Sequence, residues 1–214
     1  MTTAILPDGS KRELPDGSTV MQLAESIGRG LAKAALVGRV DGKMVDLSTP
    51  LPPGEHQVSI VTDKDPDGLV VMRHSTAHVL AQALRRLYGP TLQYTIGPVI
   101  ETGFFYDFEF PAGVKFSNDD LAKVEAEMQK IVDENLPFTR EDVTPEHAKD
   151  VLHAQEQRFK DEIIDELKAK GETSVSLYRQ GEFTDLCRGP HLPGTGKVKS
   201  LKLMSVAGAY WRGD

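Results

Sequence analysis

The stretch Thr3–Leu14, TAILPDGSKREL, decides how the front of this chain is read. Two short strand-forming runs flank a Pro-Asp-Gly-Ser turn, so it predicts a β-hairpin. The next stretch outward is PDGSTVMQLAESIG at 15–28. Ser18 or Thr19 can cap a helix there. Val20, Leu23, Ala24 and Ile27 fall at helical spacing, and Gly28 can end it. AALVGRV (34–40), KMVDL (43–47) and HQVSIVT (56–62) read as three more short strands. Hairpin, helix and strands within about 60 residues is the order of a β-grasp, ubiquitin-like domain. TDKDPDG at 62–68 is polar and turn-rich, which predicts a linker. The expected domains are 1–62 and 63–214.

From residue 69 the pattern changes. HSTAHVLAQALRRLYG (74–89) predicts an amphipathic helix with Ala77, Leu80, Ala81, Leu84 and Leu87 on one side. GFFYDFEF (103–110) alternates and reads as a strand. SNDDLAKVEAEMQKIVDEN (117–135) reads as a capped helix burying Leu121, Val124, Met128 and Ile131. TPEHAKDVLHAQEQRFKDEIIDEL (144–167) reads as one further helix, with Thr144 as cap and Pro145 in the first turn. SVSLYRQ (174–180) and VKSLKLMSVAG (198–208) read as strands. The expected fold class is α+β. The closing GAYWRGD carries the single Trp211 in a strand-like run without a stop signal, which suggests a piece of a longer protein.

Composition narrows the function classes. The chain has 214 residues, 39% hydrophobic and 27% charged, which is ordinary for a globular protein. No apolar run reaches the ~18 residues a membrane span needs. The first residues lack a basic-then-apolar export pattern. Cys187 is the single cysteine and can form no internal disulfide, so a reduced, cytoplasmic setting is expected. A net charge of −7 disfavours non-specific affinity for nucleic acid. The charge is uneven. Residues 119–166 hold 15 acidic against 6 basic side chains, whereas Arg188, Lys197, Lys199, Lys202 and Arg212 dominate 185–214. That basic segment suits a local anionic ligand better than a long nucleic-acid track.

The chemistry concentrates in two places. TDLCRGPHLPGTG (184–196) places Cys187 and His191 around a Gly-Pro pair, hence on a loop. HSTAH places His74 and His78 at i and i+4. At ~100° per residue the two rings lie about 40° apart, on one helix face. Three histidines and a cysteine are reasonable zinc ligands. The same residues can work without metal, since imidazole moves protons near neutrality and a nearby lysine can stabilise negative charge. Nothing local marks Cys187 as a thiolate, and Asp185 disfavours one. There is no GxxxxGK[ST] loop for a GTPase and no His-Asp dipeptide for a metal phosphohydrolase.

Six motifs carry a resemblance across essentially the whole chain: LPDGS (6–10), GLAKAALVGRVDGKMVDL (30–47), RHSTAH (73–78), IGPVIETGFFYDF (96–108), DLCRGPH (185–191) and KLMSVAGAYWRGD (202–214). The chain resembles the N-terminal region of bacterial threonyl-tRNA synthetases. The HxxxH and CxxxH pair is also shared with alanyl-type editing domains. The resemblance implies a TGS domain over 1–62 and, over 63–214, an editing domain of the threonyl/alanyl second-additional-domain type. The implied activity is hydrolysis of the ester of mischarged Ser-tRNA(Thr), sparing Thr-tRNA(Thr). A pocket shaped for threonine rejects serine, which lacks one methyl, by only ~1–3 kcal/mol, so a second sieve is needed.

Carried over by position, the resemblance implies His74, Lys160 and His78 as catalytic groups, with His74 and Lys160 placing water and moving protons. Asp185, Cys187, His191, Tyr106 and Gly97 would bind substrate. Asp185 would hold the seryl ammonium, His78 and His191 the ribose and seryl hydroxyl, and Cys187 would gauge against the threonine methyl. Tyr106 and Gly97 would line the pocket. The metal-free reading is preferred; if zinc is present, its ligands are His74, His78, Cys187 and His191. ATP and a synthetic zinc would belong to a core beyond this sequence. The implied partner is the tRNA(Thr) acceptor end carrying serine, with no membrane and with dimerisation through regions elsewhere. The rival expectation is a zinc-stabilised RNA-binding module without hydrolytic activity.

Overall fold

The computed structural model describes residues 1–208. The expectation attached to Trp211 lies outside the described residues.

The front of the chain folds as its local sequence predicts. Strands β1 (Thr2–Ile5) and β2 (Lys11–Leu14) form the hairpin, followed by α1 (Val20–Ile27) and a short α2 (Arg29–Ala34). Thr19, not Ser18, caps α1. Its side chain accepts from the Gln22 N–H while the Gln22 side chain returns to the Thr19 N–H, satisfying two helix-end donors at once. Strands β3 (Ala35–Val40), β4 (Lys43–Val45) and β5 (Gly54–Thr62) complete a five-stranded sheet in the order β2-β1-β5-β3-β4. The central pair β1/β5 is parallel and the other pairings antiparallel, the arrangement of a β-grasp. Ala4, Val20, Leu23, Ala24, Leu51 and Val58 form its core.

The expected linker is largely taken up by the elements on either side: Thr62 ends β5 and Pro66–Gly68 begin a helix. α3 spans Pro66–Tyr88, so only Asp63–Asp65 form a turn. Asp65 closes that turn by accepting from the Thr62 N–H, and Pro66 starts the helix where a missing N–H costs nothing. Nor is α3 buried along one stripe alone. Every residue from Ser75 to Leu84 is buried. Val71, Val79, Leu80 and Leu84 share one cluster with Leu36, Val37 and Val61 of the first sheet and with Val124, Met128 and Ile131 of α4 (Leu121–Glu134). One apolar core therefore crosses residue 62.

Around α3 stand two two-stranded ladders and a three-stranded antiparallel sheet. β6 (Gln93–Tyr94) pairs with β9 (Phe108–Glu109), and β7 (Val99–Ile100) with β8 (Gly103–Phe104). The single strand expected over 103–110 is thus split at Phe105–Asp107. The N–H groups of Phe105 and Asp107 bond the Pro98 and Ile96 carbonyls instead. The single helix expected over 144–167 is also split, into α5 (Pro145–His153) and α6 (Arg158–Ala169). Glu156 takes a left-handed conformation at the break. The Gln157 side chain is drawn inward to the Leu92 carbonyl and the Tyr94 N–H. Strands β10 (Thr139–Val143), β11 (Val175–Gln180) and β12 (Phe183–Leu186) form the antiparallel sheet. The strand expected over 198–208 does not form. There, Leu203 and Val206 give their N–H groups to the Glu125 and Asn118 side chains rather than to a neighbouring strand.

The junction makes one stability prediction. A Cβ on Gly68 would collide with the Thr62 backbone carbonyl, which cannot swing away as a side chain can. Gly68→Ala should cost about 1–3 kcal/mol of overfilling strain despite alanine's better helix propensity. Denaturant unfolding should report this as a lower midpoint with an unchanged slope.

Candidate active site

Helix α3 holds His74 and His78 one turn apart, with ring centroids 5.3 Å apart and edge to face. The loop after β12 brings Cys187 and His191 to them. Cys187 Sγ lies 3.1 Å from His74 Nε2 and 3.4 Å from His191 Nε2, and accepts from the Gly189 N–H at 3.3 Å. The His191 ring packs parallel to Phe138 at 4.8 Å and stands 4.2 Å from His78. His191 is 1% exposed and sits behind Cys187. Unlike His74, His78 and Cys187, it does not itself line the cleft described below.

Asp185, on β12, is the centre of a second group. Its Oδ1 lies 2.7 Å from the Lys160 ammonium, and its Oδ2 accepts from the Tyr106 hydroxyl at 2.9 Å, with His78 Nε2 at 3.9 Å. Lys160 also donates to the Thr95 carbonyl at 2.6 Å and lies over the Tyr94 ring. Lys160 is no solvated helix charge: it is 2% exposed. The helix break at 154–157 makes this possible, because it turns α6 so that its third residue faces β12. The split at Phe105–Asp107 serves Tyr106 in the same way. Gly97 lies against the Tyr106 ring, where even a Cβ would come within 2.9 Å of it.

His74, His78, Gly97, Tyr106, Lys160, Asp185 and Cys187 all line one cleft of about 1260 Å³, roomier than a drug-sized ligand requires. Lys43 of β4 and Asp46, just after that strand, also line it. Two groups at the site carried no sequence signal. Ser75 accepts from the Leu192 N–H and meets His191 Nδ1 at 3.0 Å. Asp46 accepts from the His191 N–H at 2.8 Å and from the Tyr178 hydroxyl at 2.6 Å. Each is an ordinary residue made special only by a partner far along the chain.

Electrostatics follow burial. Desolvation pushes the imidazoles of His78 and His191 well below their ordinary value of 6.5, aided by the neighbouring histidines. Desolvation also lowers His74, opposed in part by the Pro190 carbonyl and by Asp185. The Tyr106 hydroxyl is pushed up by burial and by Asp185. Burial pushes the Cys187 thiol up to about 12, so it is a neutral thiol at neutral pH and a poor nucleophile.

The same cluster fits a metal in part. Ligand atoms of His74, His78, Cys187 and His191 all lie within 4.8 Å of one another. Tetrahedral zinc places its N and S ligands roughly 3.3–3.6 Å apart. The Cys187 distances are close to that, while the full set is wider. His78 Nδ1 is buried without a hydrogen-bond partner among the described residues, so the donor set has spare capacity.

The lowered histidines set a pH dependence of stability. Below about 6.5 the unfolded chain takes up protons that the folded His74, His78 and His191 resist, so folding weakens as pH falls. Their contribution is fully present above 6.5 and is lost towards the lower folded values. The unfolding midpoint should drop between neutral and mildly acid pH, and His78→Gln should make that drop shallower.

Residues 2–62 match the TGS domain family, and residues 175–214 match the family described as the threonyl and alanyl tRNA synthetase second additional domain. The chain is 51% identical over 215 residues to the threonine--tRNA ligase of Hyphomonas neptunium, covering 100% of this chain and 32% of the relative. It is 49% identical over 209 residues to that of Pelobacter propionicus, covering 98% and 32%. It is 50% identical over 214 residues to that of Methylococcus capsulatus, covering 100% and 33%. The chain spans about a third of the length of these curated relatives. With a TGS domain at its front and a threonyl/alanyl-type second additional domain behind, the chain is similar over its whole length to the N-terminal region of threonine--tRNA ligases.

Proposed function

We propose that the cleft is an editing site that hydrolyses the ester of Ser-tRNA(Thr) and spares Thr-tRNA(Thr). The observation that carries this reading is the meeting of a buried Lys160–Asp185–Tyr106 group with His74 and His78 on one cleft wall. Similarity to threonine--tRNA ligases supplies the substrate class. The ligand would be the acceptor end of tRNA(Thr), met in the cytoplasm. The domains would divide at 62/63, with dimerisation and amino-acid activation in parts of the protein outside this sequence.

In this reading a water attacks the seryl carbonyl carbon, the bond from that carbon to the ribose oxygen breaks, and the ribose oxygen takes a proton. His74 is neutral at physiological pH because burial lowers it, so it can accept the water proton and return one to the leaving oxygen. The Lys160 ammonium faces the oxyanion, held in place by Thr95 and Asp185. Asp185 has lone pairs left after meeting Lys160 and Tyr106, and these receive the substrate ammonium. His78 meets the ribose or the seryl hydroxyl. Gly97 leaves the room Tyr106 needs. Cys187, a neutral thiol, bounds the space beyond the seryl side chain, with His191 behind it. No tightly held metal is needed for these steps.

Deacylation of seryl- against threonyl-tRNA(Thr) tests the reading. Serine should be released faster by at least the ~10–200-fold that one methyl can carry. Equal rates on both would end the proposal. Replacing His74 and His78 together should remove hydrolysis, and undiminished activity would reject their assignment.

The second reading, a zinc-stabilised RNA-binding module, is favoured by the four ligands lying within 4.8 Å. Zinc bound there would chiefly hold α3 and the Cys187–His191 loop together. Metal analysis separates the two. Near-stoichiometric zinc with melting by a chelator and no hydrolysis supports the module; metal-free protein that hydrolyses the seryl ester supports editing.

A further inference from the structure

All the residues expected at the site lie beyond residue 62, yet the loop that carries two of them is held from the first sheet. Asp46 follows β4 and is 8% exposed. Its two carboxylate oxygens are divided between two tasks. Oδ1 accepts the His191 backbone N–H at 2.8 Å, and Oδ2 accepts the Tyr178 hydroxyl at 2.6 Å. Tyr178 is 1% exposed and sets its ring edge-on to the His191 ring at 4.6 Å. The same hydroxyl occupies the space where a Cβ on Gly189 would have to go. Gly189 also has a positive φ of 65°, so the loop fits against Tyr178 only with glycine there.

We propose that Asp46 is a positioning residue for the candidate site, by which the first domain sets the height and angle of the Cys187–His191 loop. The proposal rests on the editing reading for its activity arm only. Three physical points carry it. The bonds to a carboxylate are charge-assisted and short, hence stiffer than neutral ones. They are buried, so water cannot replace them cheaply if Asp46 is lost. They act on the main chain at His191 and on the ring beside it, so both the position of the backbone and the tilt of the imidazole follow from one side chain. Ser75 fixes the next N–H, that of Leu192, from α3. The loop is thereby clamped between the first domain and the central helix, with Cys187 Sγ left facing His74 across the cleft wall.

A role in overall stability alone would lower the melting temperature without changing the properties of the folded site, so the test reads the folded site. Asp46→Ala removes both acceptors. Asp46→Asn keeps an oxygen for the His191 N–H and can still meet Tyr178, which then accepts from the amide. Tyr178→Phe removes one of the two bonds. Amide hydrogen exchange of His191 and Leu192 should quicken at least tenfold in Asp46→Ala relative to amides in β1 and β5, and remain near wild type in Asp46→Asn. For seryl-tRNA hydrolysis, kcat should fall on the order of 10- to 100-fold in Asp46→Ala with KM changed little, since misplacement by about an ångström acts on the reacting geometry. Asp46→Asn should recover most of that loss, and Tyr178→Phe should fall between. Unchanged His191 protection in Asp46→Ala, or a loss confined to KM, would overturn the proposal. If Asp46→Ala does not fold, Asp46→Asn and Tyr178→Phe decide it by the same two readouts. If wild-type protein hydrolyses no ester, the editing reading fails, while the exchange measurement still decides whether Asp46 sets the loop.

Discussion

The structure depends on the complete burial of the middle of α3. A helix enclosed on every side must use small residues where neighbours come close, and Ala77, Ala81 and Ala83 do so with no measurable exposure. Burying the larger Val79 and Leu84 contributes about 1.5–3 kcal/mol each. The polar residues on the same helix then have no solvent to turn to. Ser75 and Thr76 find partners in Leu192, His191 and the Met72 carbonyl. His78 finds few, and its imidazole stays neutral. Buried reactive groups beside the cleft are a direct consequence of how the helix is packed.

The Lys160–Asp185 pair belongs to the same economy of burial. Both side chains are almost wholly enclosed. Taking two charges out of water costs several kcal/mol per ion, which their attraction repays only with good geometry and further hydrogen bonds. Such bonds are present in part: Lys160 donates to the Thr95 carbonyl and Tyr106 donates to Asp185 Oδ2, while Asp185 Oδ1 keeps free acceptor capacity beside its ion pair. As a source of stability the pair is roughly neutral against apolar residues of similar size. Its better justification is preorganisation, because a fixed ammonium and a fixed carboxylate meet a charged substrate without first rearranging.

What could be read from the sequence divides by range. The hairpin, the capped helix α1 and the succession of strands rest on turn residues and periodicity within a dozen positions and are legible, whereas the strand order, which sets Thr2 beside Gly54, is a long-range matter. HSTAH and CRGPH were legible as a pair because histidine and cysteine are chemically conspicuous. The break at 154–157 was not, since EQRFK has no helix breaker and the chain turns only because Gln157 is claimed by Leu92 and Tyr94. The absence of a strand at 198–208 has the same origin, in side chains of α4 and its lead-in turn. Burial of Lys160 follows from that helix break and was equally invisible. Asp46 and Ser75 lie 145 and 117 residues from the backbone groups they hold, and nothing near them announces the contact.

The clamped loop also bears on how a small methyl group can matter. A site meant to accept serine and refuse threonine has only steric exclusion to work with, since the hydroxyl and ammonium are common to both. Forcing an extra methyl into a packed space costs about 1–3 kcal/mol when the surroundings hold, and much less when they can shift. Cys187 sits on a loop, the kind of segment that ordinarily gives way. Here its neighbours are fixed by Asp46 from one side and Ser75 from the other, and its sulfur is wedged between His74 and His191. In the proposed editing reading, rigidity of the wall, more than the identity of the atom on it, would convert one methyl into discrimination.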